Sequence, residues 1–278
     1  RGLTEAVTFS FMGRALARLF TSGNRPPVAL ANPIAAELDV MRPSILPNLL
    51  TAAARNAARG LADLALMEVG PQYADDTAEG QSLVAAGLRA GHAGPRHWAV
   101  KQRAIDAFDA KADALALLAA LGAPTDNLQV AADAPGWYHP GRSGTLRLGA
   151  AVLANFGELH PRVLSEADVK GAAAGFEIFL DRVPLPKTKA KSGAARPLLK
   201  ASPYQAVERD FAFVVSADVP ADKLVRAAKG ADKLLIQHVQ LFDLFEGGNL
   251  GVGQKSLAIS VTLQAMDRTL TEQDIAAV

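Results

Sequence analysis

Cysteine is absent from the 278 residues. That excludes disulfides, a thiolate nucleophile and any zinc site built on thiolates, and it suits a reducing cytoplasm, the location expected for the chain. Long apolar runs are missing as well: none approaches the ~20 residues that cross a bilayer, so no membrane partner is expected. The opening Arg1-Gly2-Leu3-Thr4-Glu5 has no signal-peptide pattern and reads as sequence from within a domain, as though the chain began upstream. An excess of charge of one sign is lacking too. With 29 Lys and Arg against 28 Asp and Glu, the formal net charge is +1, which leaves no global nucleic-acid signature. Any RNA contact must come from a local patch.

What the chain does have is apolar content, 50% of residues, beside 21% charged ones, the balance of a globular protein with a sizeable core. Its length favours two domains. The alternation Ala6-Val7-Thr8-Phe9-Ser10-Phe11 predicts a strand, followed by a short helical pattern around Ala15–Phe20. Gly23-Asn24-Arg25-Pro26-Pro27 reads as a turn and Val28-Ala29-Leu30 as a short strand. Met41-Arg42-Pro43-Ser44-Ile45-Leu46-Pro47 leads into a helix from about Asn48 to Arg59, with Gly60 as its stop signal. Apolar strands follow over Leu64–Val69 and Ser82–Leu88, then a helix over Ile105–Gly122, a hairpin over Leu146–Leu148 and Ala150–Phe156, and a strand over Phe176–Leu180. This order predicts an α+β arrangement, an antiparallel sheet flanked by helices.

Composition shifts over 184–203, where four prolines accompany Lys187, Lys189, Lys191, Arg196 and Lys200 with no acidic residue. Proline and like charge keep a segment extended, so a linker is expected there between a domain at 1–183 and one at 204–278. The second domain reads as strand Arg209–Ser216, helix Pro220–Ala228 with Asp218 as N-cap, strands Val239–Glu246 and Lys255–Gln264, and a last helix capped by Thr271. The order β-α-β-β-α is most of a ferredoxin-like unit, without its final strand.

Several candidate sites can be weighed on chemistry alone. His139-Pro140-Gly141-Arg142 places a His beside an Arg, but no nucleophile or orienting carboxylate accompanies them, and a loop held by Pro and Gly is the better account. Glu158-Leu159-His160 and the pair His92 and His97 are too sparse for a metal site. The run Gly247–Gly253 joins two strands and lacks the following helix that a phosphate cradle needs. In the second domain Phe242 and Phe245 share a strand, and Arg209, Lys255 and Arg268 lie near strand ends, the residue types that stack on bases and contact phosphates. Phe211 and Phe213 are expected in the core. Residues 196–278 hold nine Lys and Arg against ten Asp and Glu, so this domain is not a basic module.

The order of motifs is more specific than any one of them. Asn32-Pro33, Met41 to Leu50 and Glu68-Val69-Gly70 are followed by Phe108-Asp109-Ala110-Lys111, Tyr138 to Ser143, Gly157 to Pro161, and in the tail Ser202 to Val215, Leu241-Phe242-Asp243, Lys255 to Ala258 and Asp267 to Thr271. Across nearly the whole chain this series resembles the C-terminal part of the bacterial phenylalanyl-tRNA synthetase β subunit. The resemblance implies a class II synthetase-like core followed by a ferredoxin-fold anticodon-binding domain. It implies a catalytic α subunit as partner in an (αβ)₂ heterotetramer, and tRNA-Phe as the RNA. ATP and Mg²⁺ would serve the holoenzyme, with no cofactor in this segment.

The residues of the core bear on that last point. A class II site holds ATP phosphates with arginines on two strands. Here no arginine lies between Leu61 and Leu88, and Phe179–Arg182 lacks the Gly-x-Gly-x-Glu-Arg pattern. The segment is therefore expected to be non-catalytic. Its subunit interface is expected at Asn32, Pro33, Arg42, Leu46 and Leu49, and its tRNA contacts at Arg209, Phe242, Lys255 and Arg268. The alternative is a regulatory protein whose ferredoxin-like domain binds a small ligand.

Overall fold

A computed structural model describes residues 1–23, 25–185 and 201–278. The expected linker thus lies, over 186–200, outside the described residues. The chain divides into two compact units at residues 187 and 188.

The first unit runs through Thr4–Glu5 (β1), Phe11–Met12 (β2), Arg14–Ala17 (α1), Val40–Met41 (β3), Leu46–Ala57 (α2), Leu64–Tyr73 (β4), Gln81–Ala90 (β5), Ala107–Ala120 (α3), Gln129–Ala131 (β6), Tyr138–Leu148 (β7), Ala151–Leu159 (β8), Pro161–Glu166 (α4) and Ala173–Phe179 (β9). Seven strands form one sheet in the order β1-β4-β5-β9-β8-β7-β6, antiparallel throughout except for the parallel pair β1 and β4. The two-residue side-chain period of a strand explains how it is covered. Val84, Ala86 and Leu88 meet Leu46, Leu49, Leu50 and Ala53 of α2 on one face. Ala85, Ala154 and Ile178 meet Ala110, Ala114 and Leu118 of α3 on the other. The expected helix-flanked antiparallel sheet is what forms.

Helix α3 starts where its cap dictates. Asp106 accepts from the backbone N–H groups of Phe108 and Asp109, and Asp109 accepts in return from the Asp106 N–H, the reciprocal arrangement that satisfies two otherwise orphaned donors. Arg103 then clamps Asp109 through two hydrogen bonds of 2.7 Å, and this clamp holds the Asp109 carboxyl below its usual pKa.

Three expectations are corrected. The strand expected over Ala6–Phe11 survives only at its flanks, in β1 and β2. Between them single bonds replace a ladder: Ala6 N–H to the Met67 carbonyl, Thr8 hydroxyl to Glu68, and Arg42 N–H to the Ser10 carbonyl. Val28-Ala29-Leu30 contributes one isolated bridge, Ala29 to Val40. His139–Arg142 is not a loop but the irregular part of β7, whose pairing with β8 is interrupted between Tyr138 and Ser143. Gly157 makes the close approach there possible. Its φ is +148°, and a Cβ would stand 2.5 Å from the Ser143 Cα.

The second unit contains Val207–Ser216 (β10), Ala221–Ala231 (α5), Ile236–Glu246 (β11), Gln254–Leu263 (β12) and Glu272–Ala276 (α6), with β12 central in the sheet order β10-β12-β11. This is the expected β-α-β-β-α series. Val239, Ile259, Val261 and Leu263 form its core against Leu224, Val225 and Ala228 of α5. Thr271 caps α6 as expected, and its hydroxyl and N–H both bond Asp274, which lowers the Asp274 carboxyl to about 2. Asp218 is not the cap of α5. Pro220 occupies that position, and the Asp218 carboxyl instead bonds Ser216, which lowers its pKa.

Candidate functional site

The family-like motifs of the first unit meet in one buried network. Arg42 is 1% exposed and Glu68 4%, and their ion pair measures 2.7 Å. The other donors of Arg42 reach the Pro71 carbonyl at 2.8 Å and the Thr8 hydroxyl at 3.1 Å, while that hydroxyl donates to the second Glu68 oxygen at 2.7 Å. Gly70 has no side chain because the guanidinium occupies the space: a Cβ would sit 2.5 Å from Arg42 Nη2. Met41-Arg42-Pro43 and Glu68-Val69-Gly70 are therefore two halves of one tie between β3 and β4.

A second buried tie centres on Glu177 of β9, 1% exposed. Its carboxyl accepts from the Ser44 hydroxyl at 2.6 Å, and from Trp137 Nε1 and the Tyr138 hydroxyl at 3.1 Å each. Asn155 bonds it as well. Burial nevertheless pushes its pKa up, because desolvation disfavours the charged form more than these donors favour it. Burial likewise raises the Tyr138 hydroxyl.

The expected interface residues fall into two groups. Asn32 and Pro33 lie in a surface segment between the bridge at Ala29 and β3. Arg42, Leu46 and Leu49 are corrected: all are within 1% of full burial, consumed by the Glu68 pair and by the sheet face under α2, so their side chains have no surface to offer. What α2 does present is a groove of about 510 Å³, lined among others by Val7, Phe9, Leu16, Asn48, Thr51 and Arg55. Val7 and Phe9 are 90% and 66% exposed, and Phe9 stacks on Phe11 with ring centroids 5.4 Å apart. Asn48 Oδ1 is buried there without a hydrogen-bond partner.

The expected RNA residues are not brought together. Strand register puts Arg209 opposite Val261, and Lys255 opposite Val215 and Glu246, in the rows that face α5 and α6. Arg209 bonds Glu272 at 3.0 Å and Lys255 the Ala217 carbonyl at 2.7 Å. Arg268 is tied to Asp274 and Asp267. Phe242 stands at an irregularity of β11 and is 55% exposed. Phe245 pairs with Ser256, and Ser256 with Val214, so Val214 and Phe245 share the face turned from the helices, where they are 55% and 51% exposed. Phe211 and Phe213 do lie on the helix side, but line an open apolar cavity of about 180 Å³ and are 45% and 41% exposed.

Among the described residues no cluster of three His, Asp or Glu could hold Mg²⁺. Strand β4 carries no arginine, and Arg89 at the end of β5 is spent on buried Asp113 at 2.5 Å. The residues of β4 do not fit an ATP phosphate clamp.

Glu68, Gln72, Glu177 and the Val7–Phe9 surface were missed in the sequence. A lone acid within an apolar strand, as in Phe176-Glu177-Ile178, is the signal that could have found the buried ties, since an ionisable group there must be paired or hydrogen-bonded.

Comparison with known proteins places the two units separately. A family model described as the phenylalanyl tRNA synthetase beta chain CLM domain matches residues 1–180. One described as the ferredoxin-fold anticodon binding domain matches residues 202–278. The phenylalanine–tRNA ligase beta subunit of Paramagnetospirillum magneticum is 58% identical over all of this chain, and that of Rhodospirillum rubrum 56%. That of Brucella suis is 52% identical. The chain spans about a third of the length of these relatives, 34% of the first two and 35% of the third.

Proposed function

Because the chain belongs to the phenylalanine–tRNA ligase β-subunit family, we propose that it is a non-catalytic docking part of that cytoplasmic ligase, holding the catalytic α subunit within an (αβ)₂ assembly with its first unit and the anticodon arm of tRNA-Phe with its second. ATP and Mg²⁺ then act in the partner. The observation that supports this reading is that each unit leaves apolar side chains exposed beside its covered core: Val7 and Phe9 along the groove, and Val214 and Phe245 on the outer sheet face with Phe242 at the irregularity of β11. Exposed apolar patches of this kind mark interaction sites. The groove belongs to the α subunit, because it is apolar and holds an unpaired amide acceptor, Asn48 Oδ1, that a partner N–H would satisfy. The sheet face belongs to RNA, because exposed aromatics on a small sheet stack unpaired bases.

On this account RNA affinity in the second unit rests on Phe242 and Phe245 more than on Arg209, Lys255 or Arg268, whose polar heads are already hydrogen-bonded within the chain. Replacing both phenylalanines by Ser is expected to weaken tRNA-Phe binding by about thirtyfold or more, since each of the two stacked bases is worth about 1–3 kcal/mol. The dependence of affinity on salt should stay unchanged, because stacking releases no counterions. Fluorescence anisotropy with labelled tRNA-Phe at several salt concentrations reads both quantities. Unaltered affinity in the double variant would remove this face from the RNA interface.

A further inference from the structure

One face of the first unit's sheet borders a cavity of about 460 Å³ that the docking role leaves unused. Its volume lies in the range of sites for small organic ligands, about 300–1,000 Å³. Its lining mixes aromatic side chains, Phe20, Trp137 and Phe179, with three arginines, Arg25, Arg147 and Arg182, against two carboxylates, Asp133 and Glu177.

The charges are not equally engaged. Arg147 is bound to Asp133, which also accepts from the Thr145 hydroxyl at 2.6 Å. Arg25 lies 3.9 Å from Asp75. Glu177 already takes four hydrogen bonds from Ser44, Trp137, Tyr138 and Asn155. Arg182 has no carboxylate partner among the described residues. It lies over the Phe179 ring, 4.1 Å from the centroid, and makes one long bond, 3.4 Å, to the Val152 carbonyl. A guanidinium lying over a ring, with N–H groups to spare, suits a carboxylate or phosphate.

The second feature has the opposite polarity. Gln72 of β4 is 9% exposed and lines the same cavity, and its Oε1 is buried without a hydrogen-bond partner. Leaving such an acceptor unpaired costs about 1–3 kcal/mol, and native structures rarely keep one without a reason.

We propose that this cavity is a binding site for a small aromatic molecule that carries both an anionic group and an N–H donor, with Arg182 taking the anionic group and Gln72 Oε1 accepting from the N–H. Nucleoside monophosphates and aromatic amino acids share that chemistry. No metal is required, and no reaction is implied. The site is independent of the docking surfaces, and its test contains neither the α subunit nor RNA, so its failure would leave the proposed function standing.

The test is isothermal titration calorimetry of the 278-residue chain with AMP and, separately, with L-phenylalanine, repeated on Arg182→Ala and Gln72→Met. Arg182 is exposed, so its replacement leaves the core intact. Gln72→Met keeps the volume and removes the orphaned acceptor, so the unliganded variant should melt no lower than the parent. Saturable binding of either probe, weakened about tenfold or more in both variants, is the expected result, and the probe that binds identifies the source. Binding that both variants leave unchanged would place the ligand elsewhere and overturn the proposal. So would the absence of saturable binding by both probes.

Discussion

Arg42→Met is expected to destabilise the first unit by about 3–5 kcal/mol, the usual result of removing one partner from a buried ion pair. Among the described residues Glu68, 4% exposed, would keep only the Thr8 hydroxyl as a donor, and the Pro71 carbonyl would lose its 2.8 Å bond. The loss comes less from the missing attraction than from a carboxylate stranded without a counter-charge. That distinction is measurable. Arg42→Met combined with Glu68→Leu removes both charges and should recover most of the loss, because a buried pair exchanged for apolar residues of similar volume is often neutral. Urea denaturation of the single and double variants, followed by fluorescence of buried Trp137, decides it. A double variant as unstable as Arg42→Met alone would show that the guanidinium acts by filling space beside Gly70 rather than by pairing.

Glu177→Leu should cost about 3 kcal/mol or more. It strands the Trp137 N–H and the hydroxyls of Ser44 and Tyr138 in one buried spot, each worth about 1–3 kcal/mol when unsatisfied. Glu177 also gives the fold a pH signature. Its folded pKa is raised above 4.5, so between the unfolded and folded values the native state binds more protons. Stability due to this group is then present in full below about 4.5, falls as pH rises through the folded value, and is level above it. Glu177→Gln cannot titrate and should lose this slope while keeping an acceptor oxygen for Trp137. Urea midpoints measured across that pH range for parent and Gln variant check the sign. A slope retained in the variant would assign it to another group.

Both effects reside in residues whose roles the sequence only half disclosed. The β-α-β-β-α order of the second unit was readable because turn residues bound each element, with Gly247 and Gly248 between β11 and β12 and Thr271 before α6. Helix α2 was readable from its apolar spacing, but spacing says only that Leu46 and Leu49 are covered. It does not say whether a partner or the chain's own sheet covers them, and the sheet does. The length of β7 was hidden because Pro140 and Gly141 carry turn chemistry, although the strand continues past them with its pairing interrupted. The partners of Glu68 and Glu177 lie 26 and 133 residues away in Arg42 and Ser44, distances over which no local pattern operates. Gln72 could not be singled out at all, since an unpaired acceptor exists only once the fold has surrounded it. The motif series carried the family, and three-dimensional packing was needed to separate its structural residues from its open surfaces.

The groove around Val7 and Phe9 is the proposed seat of the catalytic partner. Sedimentation velocity of the chain mixed with the phenylalanine–tRNA ligase α subunit tests it directly. The parent chain should move with the α subunit as one faster boundary, and Val7→Asp combined with Phe9→Asp, both on exposed positions that leave the core untouched, should sediment apart from it. Separate boundaries for the parent chain, or a complex that the double variant forms equally well, would contradict the account.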